Sequence, residues 1–416
     1  MNFFKEFPMP QPVEAGRRGK DVRSDCWIRF QGQDSGGIRL NLKSKVEIMY
    51  GQQIRQSIQE MLDFYKIKDA IIDLEDQGAL PFVILARLET AIKRFWPEIN
   101  QEFLPPFKAY CSYSTMADRF RRSRLYLPGN EPKFMINAGL HQPDGIILDL
   151  EDSVASTEKD AARILVRNAL RQVNFLGAER MVRINQLPAG LEDLKYIVAH
   201  QVHVILIPKC ESASQVEEIE NAVLKLSKQN KRTEPVYYMP IIESARGVVQ
   251  AYEIAKASRN NVALAIGLED YTADIGTERT LEGRESFWAR TQVVNAARAA
   301  GIQPIDTVFG DVNDMDGLRN SVLEAKALGF DGKGCIHPRQ IRVVHEAFKP
   351  TETELERAKN IVKAFEKATA EGLGVISLGS KMIDAPVVKR AQRTVRLAVM
   401  AGILNENWRE GGVHAA

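Results

Sequence analysis

Glu243 and Asp270 are the side chains with the most chemistry to offer in this sequence. Each stands near the end of a short apolar run, 236–242 and 262–267, so each reads as an acid near a strand tip. Two carboxylates opening onto one end of a parallel sheet, completed by waters, are the expected protein share of a magnesium site, because Mg2+ takes hard oxygens and keeps several waters. The competing reading is an acid salt-bridged to a loop arginine, and Arg246 lies three residues beyond Glu243. The residues alone leave both open. Arg183, in Met181-Val182-Arg183-Ile184-Asn185, is a charge inside a strand-like run. Its planar fork suits a carboxylate, either of a substrate or of Asp149, Glu151 or Asp152 at the neighbouring strand end. Lys209 closes another run, and structural pairing is the expected role. His337 reads as a hydrogen-bonded structural residue. His200 and His203 have helical metal-ligand spacing but no third partner, so they are left out of the metal site.

These residues need a frame that gathers strand ends. From Arg122 to about Phe348, strand-like runs at 123–127, 145–150, 181–185, 202–208, 236–242, 262–267, 304–309 and 333–336 alternate with helical stretches. Examples of the latter are Glu158–Val173, Ala213–Lys228, Ala245–Ser258 and Ser286–Ala300, the last with Val293, Val294, Ala297 and Ala300 at helical spacing. Eight such units with near-continuous apolar strands predict a closed (β/α)8 TIM barrel, which keeps its chemistry at the carboxyl ends of its strands. A doubly wound open sheet is the alternative, although no Gly-rich dinucleotide fingerprint follows the first strand.

Upstream, Gly36-Gly37 precedes the alternating strand Ile38–Leu42. A helix is expected over 46–65, a strand over 69–74 and a helix over 82–96, with Pro81 suited to its first turn. Pro97 and Pro105-Pro106 mark a linker near 97–118. Downstream, helices over Thr353–Glu371 and Pro386–Leu404 flank Gly372–Ser380 and a polar loop, Gly379–Pro386, that carries Asp384. Such a loop is built like a mobile lid, or like an ordinary interhelical turn. The expected domains are 1–115 (α+β), 116–350 (barrel) and 351–416 (carboxy-terminal helical lid and oligomerisation segment).

A formal charge of +2 over 416 residues, without a basic run, gives no nucleic-acid footprint. No apolar stretch approaches the roughly 20 residues that cross a bilayer, and the amino terminus lacks the apolar core of an export signal. Cys26, Cys111, Cys210 and Cys335 show neither pairing nor zinc spacing. A cytoplasmic protein with reduced thiols is expected.

The stretches Arg122–Gly129, Ile146–Asp152, Ile241–Gly247 and Gly267–Asp270 resemble, in order, those of the citrate lyase β-subunit and malyl-CoA (citramalyl-CoA) lyase family of the HpcH/HpaI aldolase superfamily. The resemblance runs over residues 121–400 and implies a magnesium-dependent barrel that breaks or makes a C–C bond beside a thioester. By it, Glu243 and Asp270 match the metal ligands and Arg183 the arginine that grips the oxo-acid carboxylate. Arg122, Pro128, Gly129 and Lys133 match a loop that holds the carrier's pantetheine or nucleotide, and Glu151 and Asp152 fall among the substrate-binding residues. Asp384 matches a catalytic acid that a neighbouring subunit lays over the site. Phe309–Asp314 is closer to the malyl-CoA lyase version.

The amino-terminal region resembles the citrate lyase γ subunit, an acyl carrier protein, through Asp76–Pro81 and Ile84–Glu89 and more loosely through Ala15-Gly16 and Ser24–Arg29. In that family a serine bears a phosphopantetheine-type arm. Here Arg23 falls at that place and Ser24 one residue later, so either Ser24 carries the arm or the arm is lost. The activity implied is retro-Claisen cleavage of a 3-hydroxyacyl-CoA thioester into an acyl thioester and a 2-oxo acid. A self-contained enzyme using its own arm and a non-catalytic scaffold of a lyase complex are the alternatives. A homotrimer or larger homo-oligomer, and other lyase-complex subunits as partners, are further implications.

Overall fold

The computed structural model describes residues 11–370, 376–378 and 381–410, in two compact units divided between Val344 and His345. No helix among the described residues is long and apolar enough to cross a membrane.

The first unit opens with a four-stranded sheet, ordered β1 (Val13–Gly16), β2 (Cys26–Gly32), β4 (Ala70–Asp76), β3 (Ile38–Ser44). β3 and β4 run parallel, joined by α1 (Glu47–Phe64), and β4 leads through a short turn into α2 (Pro81–Phe95). Alternation puts Ile72 and Leu74 of β4 on the face that meets Ile58 and Met61 of α1 and Leu88 and Ile92 of α2. α2 has no wet face: every residue from Phe82 to Ile92 is buried. One stripe fills this small core, and the remainder packs on α4 (Lys159–Gln172) of the barrel.

The carrier-like region is therefore docked on the barrel, and charges fix the docking. Glu89 of α2 meets Arg167 of α4 with both side chains fully buried, and Arg167 also reaches Glu102 at 3.0 Å. Arg94 holds both oxygens of Asp160 at 2.7 Å. Buried pairs of this kind add little net stability, but losing one partner strands the other. Glu89→Ala is expected to cost about 3–5 kcal/mol, read by urea denaturation. A loss below about 1 kcal/mol, the range of an exposed pair, would mean that the interface is wet.

The barrel follows. Its eight parallel strands are β5 (Ser123–Pro128), β6 (Gly145–Asp149), β7 (Glu179–Arg183), β8 (Val204–Ile207), β9 (Tyr237–Ile242), β10 (Ala263–Ile266), β11 (Gln303–Asp306) and β12 (Gly332–Cys335). β12 pairs with β5, so the sheet is a closed barrel and the open-sheet alternative falls. Between the strands stand α3 (Pro132–Met135), α4, α5 (Gly190–Ile197), α6 (Ala213–Gln229), α7 (Ala245–Val249), α8 (Ala251–Lys256), α9 (Leu268–Asp274), α10 (Phe287–Ala299) and α11 (Met315–Leu328). α12 (Pro338–Phe348) runs across the division between the units. Ile147, Met181, Leu206, Met239, Ile241, Ala265 and Ile305 fill the barrel interior. Strand alternation then decides what stands at the mouth, because Asp149, Arg183 and Glu243 each lie two residues beyond one of these inward positions.

The second unit holds α13 (Glu352–Ala370), the paired strands β13 (Ile376–Leu378) and β14 (Lys381–Ile383), and α14 (Ala385–Met400), around Ile361, Val362, Val388, Val395 and Trp408. Lys381–Ile383, expected as loop, is thus a strand. Residue 371 of the expected helix and residues 372–375 and 379–380 of the expected loop lie outside the described residues.

Candidate active site

The carboxyl ends of the strands surround a cleft of about 460 Å3 lined by Glu243, Asp270, Asp149, Asp152, Arg183, Tyr126 and Arg124 among others. Glu243 follows β9 directly and Ser244 caps α7 by accepting the Gly247 N–H at 3.1 Å, so the chain turns sharply just past the acid. Glu243 is only 7% exposed. Its Oε2 accepts the backbone N–H of Lys209 at 2.9 Å. A Cβ at Gly267 would stand 2.5 Å from Glu243 Oε1, so any larger residue there would have to displace the acid. Burial, helped by the neighbouring charges of Glu151 and Asp270, pushes the Glu243 carboxyl up to about 7. Asp270 lies in the first turn of α9 with a half-exposed carboxylate.

Lys209 joins the two acids. It adopts the left-handed conformation (φ 45°), uncommon in a residue with a side chain, which goes with its N–H being turned to Glu243. Its Nζ lies 3.5 Å from Asp270, 3.6 Å from Glu151 and 3.8 Å from Asp152. The expected structural pairing is present, and it is pairing inside the acidic cluster.

Arg183 pairs in register with Asp149 across β6 and β7. The guanidinium is bidentate on Asp149, with Nε at 2.6 Å and Nη2 at 2.7 Å, while Nη1 reaches Glu151 at 2.9 Å and Asp152 at 3.3 Å. Burial works against the charge, but the Asp149 carboxylate wins and raises the Arg183 pKa well above its ordinary value. Glu151 keeps one buried oxygen that accepts no hydrogen bond despite its ion pair, and burial raises its pKa. Among the described residues no three His, Cys, Asp or Glu side chains form a ready-made metal cage.

Arg122 requires a correction. It precedes β5, at the amino-terminal end of the barrel and so at the far end from the strand tips. There it is bidentate on Asp144, which sits at the start of β6 (2.9 Å from Nε and from Nη2). It ties two strand starts together and is not placed to touch a ligand at the mouth. Lys133 is on the right side, after β5, exposed and 3.5 Å from Glu131. Ser24 lies in the loop between β1 and β2, also left-handed (φ 56°), its N–H donated to Gln77. The next residue, Asp25, holds Arg87, which donates to the Asn130 carbonyl just past Pro128-Gly129 (2.9 Å). The Ser24 segment is thus tied to the first βα loop of the barrel. Asp384 belongs to the second unit, where its carboxylate caps α14 by accepting the Val387 N–H at 3.2 Å.

His203 is buried and neutral, its pKa pushed down to about 3 by burial and by Arg180, and one ring nitrogen accepts the Arg180 backbone N–H. His200 is pushed down likewise. His337 accepts the Arg339 N–H within its turn. All three are structural.

Arg124 and Tyr126 line the cleft and were not singled out from the sequence. The signal was present: Arg124, Tyr126 and Pro128 share one face of β5 by period-two alternation, as Arg122 does on paper, but only the later residues fall within the barrel.

A closed parallel barrel with carboxylates at neighbouring strand tips and an acid-held guanidinium lining the same cleft is the active-site end of a (β/α)8 enzyme. Residues 122–338 match the family model described as HpcH/HpaI aldolase/citrate lyase, and the chain belongs to that family. It is a carbon–carbon lyase. Residues 16–95 match the acyl-carrier (ACP) model described as malonate decarboxylase delta subunit. Citrate lyase subunit beta of Leuconostoc mesenteroides subsp. cremoris is 44% identical over 68% of this chain and 94% of that protein. The human mitochondrial citramalyl-CoA lyase is 32% identical over 67% of this chain and 85% of its own length. The crystal structure of protein CitE from Mycobacterium tuberculosis, in complex with magnesium, acetoacetate and coenzyme A, superposes with a TM-score of 0.56 at 30% identity, covering 68% of this chain and 99% of that one.

Proposed function

We propose that the enzyme cleaves a 3-hydroxyacyl thioester of malyl, citramalyl or citryl type, with Mg2+, into an acyl thioester and a 2-oxo acid. The carrying observation is that Glu243 and Asp270 line one cleft with Arg183, Glu243 accepting the Lys209 backbone N–H and Asp270 facing the Lys209 ammonium. The donor set fits the ion: carboxylate oxygens, one of them on a buried residue, and no imidazole or thiolate among the cleft residues. The magnesium and coenzyme A of the Mycobacterium tuberculosis complex point the same way.

When bound at Glu243 and Asp270, Mg2+ supplies Lewis acidity that eases ionisation of the substrate hydroxyl. Lys209 fixes Glu243 through its backbone N–H. Asp149 orients Arg183, whose remaining N–H directions take the carboxylate beside that hydroxyl. The hydroxyl gives its proton to water in the cleft and becomes the keto oxygen, and the bond to the carbon next to the thioester breaks. Its electron pair passes to the thioester enolate, which takes a proton at carbon. The test is purified protein with Mg2+ and a panel of hydroxyacyl-CoA esters: oxo acid is expected, stopped by EDTA and restored by Mg2+. No release from any ester would overturn the reading.

Asp384 is the proposed proton donor to that carbon, from a neighbouring copy in a homotrimer or larger assembly. Because it also caps α14, two variants separate its roles. Asp384→Asn keeps a good cap and loses the acid, whereas Asp384→Ala costs the helix about 1 kcal/mol as well. Turnover is expected to fall about 10²- to 10⁴-fold in both, with a lower melting temperature only in the alanine variant. Full activity in the asparagine variant would remove Asp384 from the chemistry.

A second reading rests on the Ser24 segment being tied to Asn130 at the first βα loop: an arm on Ser24 would start beside the barrel mouth. Intact mass of natively produced protein decides it, since an adduct on Ser24 supports the arm and an unmodified chain supports a free CoA thioester.

A further inference from the structure

The floor of the cleft contains a cation that no acid balances. Arg124, the second residue of β5, is 1% exposed yet lines the cleft beneath Tyr126. Its Nη1 meets only the Met239 sulfur (3.0 Å) and its Nη2 the Asp306 carbonyl oxygen (3.4 Å), while Nε has no hydrogen-bond partner. The Asp306 carboxylate is turned to Lys333 (2.7 Å) and Arg290 (3.1 Å) instead. Of the two guanidiniums lining the cleft, Arg183 is surrounded by three carboxylates and Arg124 faces none among the described residues. Tyr126 stands above it, and its hydroxyl has no hydrogen-bond partner among the described residues.

A buried guanidinium without a counter-ion is costly, and the cost is offset when an anion arrives. Chain geometry does not demand it, because an unbranched apolar side chain of similar length would fill the same space. The first carboxylate of the substrate, beside its hydroxyl, is already assigned to the layer of Glu243, Asp270 and Arg183. An anion reaching Arg124 must therefore be a second one, carried deeper on the same oxo-acid half.

We propose that Arg124, with the Tyr126 hydroxyl, is the subsite for a second carboxylate of the substrate, so that the 2-oxo acid formed is a dicarboxylate of the oxaloacetate kind rather than a monocarboxylate such as pyruvate or glyoxylate. The inference rests on the lyase reading above and narrows it to citryl-type thioesters. Arg124 is a specificity residue in this account and takes no part in the bond-breaking.

Calorimetric binding of oxaloacetate and of pyruvate, each with Mg2+, to the full chain and to Arg124→Met tests it without turnover. The wild type is expected to bind oxaloacetate at least about tenfold more tightly than pyruvate, the size of effect one charge-assisted hydrogen bond provides. Arg124→Met should lose that preference and leave pyruvate affinity unchanged. It should melt no lower than the wild type, since an unpaired buried charge has been removed. Arg124→Gln, which keeps a donor, serves if the methionine variant does not fold. A preference that persists in the variant, or a wild type that binds both acids alike, overturns the subsite alone. A wild type that binds neither acid overturns the subsite and the lyase reading together.

Discussion

Glu243→Gln is expected to lower magnesium-dependent turnover by a factor of about 10² to 10³ or more while making the metal-free protein more stable at alkaline pH. The two effects have one cause. The carboxylate is aimed at the cleft from a nearly dry position, where burial raises its pKa from 4.5 to about 7. In the folded protein the ionised form is therefore penalised. Such a group adds no strain below its unfolded value and costs stability progressively as pH rises from 4.5 to about 7, reaching about 3 kcal/mol above that. Glutamine has the same shape and no charge to desolvate, so this pH dependence should be missing from the variant. Metal binding works in the opposite direction, because a cation requires the ionised acid. Mg2+ affinity of the wild type should therefore weaken about tenfold per pH unit below about 7. Melting curves at pH 5 and pH 8, with and without Mg2+, give all four readings. If the variant and the wild type shared one pH profile in the absence of metal, Glu243 would not be the buried acid of the site.

The parts of this arrangement that depend on local pattern were readable before any coordinates. β6, β8 and β10 are runs such as Val204–Ile207 in which every residue is buried, and β9 departs from this only at Tyr237; such near-continuous burial with turn residues at each end survives in sequence. The strand–acid series then locates Glu243 and Asp270. Parts that depend on pairing were hidden. That Arg183 faces Asp149 follows from the register of β6 on β7, which no single strand reveals. The helix expected over Ala245–Ser258 breaks at Gln250 into α7 and α8; its apolar spacing continues across the break, so periodicity could not show it. β1 and β2 flank a loop crowded with Arg17, Arg18, Lys20 and Arg23, and neither strand alternates cleanly. The sharpest lesson is in Arg122-Ser123-Arg124. One arginine ties strand starts and the other underlies the cleft, and a shift of two residues along β5 separates the two roles. The reasoning that singled out Arg183, a charge costly inside a strand unless it meets an anion, applies with greater force to Arg124.

Arg183→Lys is the substitution expected to do most damage while preserving formal charge. Lysine offers one compact ammonium where three acids are now served by a planar fork. Asp149, 2% exposed, would keep at most one of two short bonds, and Glu151 would lose its nearer cation, at 2.9 Å, and keep Lys209 at 3.6 Å. Misplacing the site by such a change is expected to lower kcat/KM by about 10² or more. The stability loss has a definite pH signature. Burial pushes the Asp149 carboxyl up, but its bonds to Arg183 outweigh that and hold it below the ordinary 3.8. A depressed carboxyl stabilises the fold above its unfolded value and loses that contribution as pH falls through the folded one. The lysine variant surrenders part of it, so its deficit against the wild type should be full near neutrality and shrink below about pH 4. Asp149→Asn supplies the control, since it frees the guanidinium without removing it. If Arg183 acts on substrate only through an orientation fixed by Asp149, the double variant should be little worse than Arg183→Lys alone. Additive losses would mean that the two residues act separately, and the guanidinium would then need a position in the cleft that its present bonds do not allow.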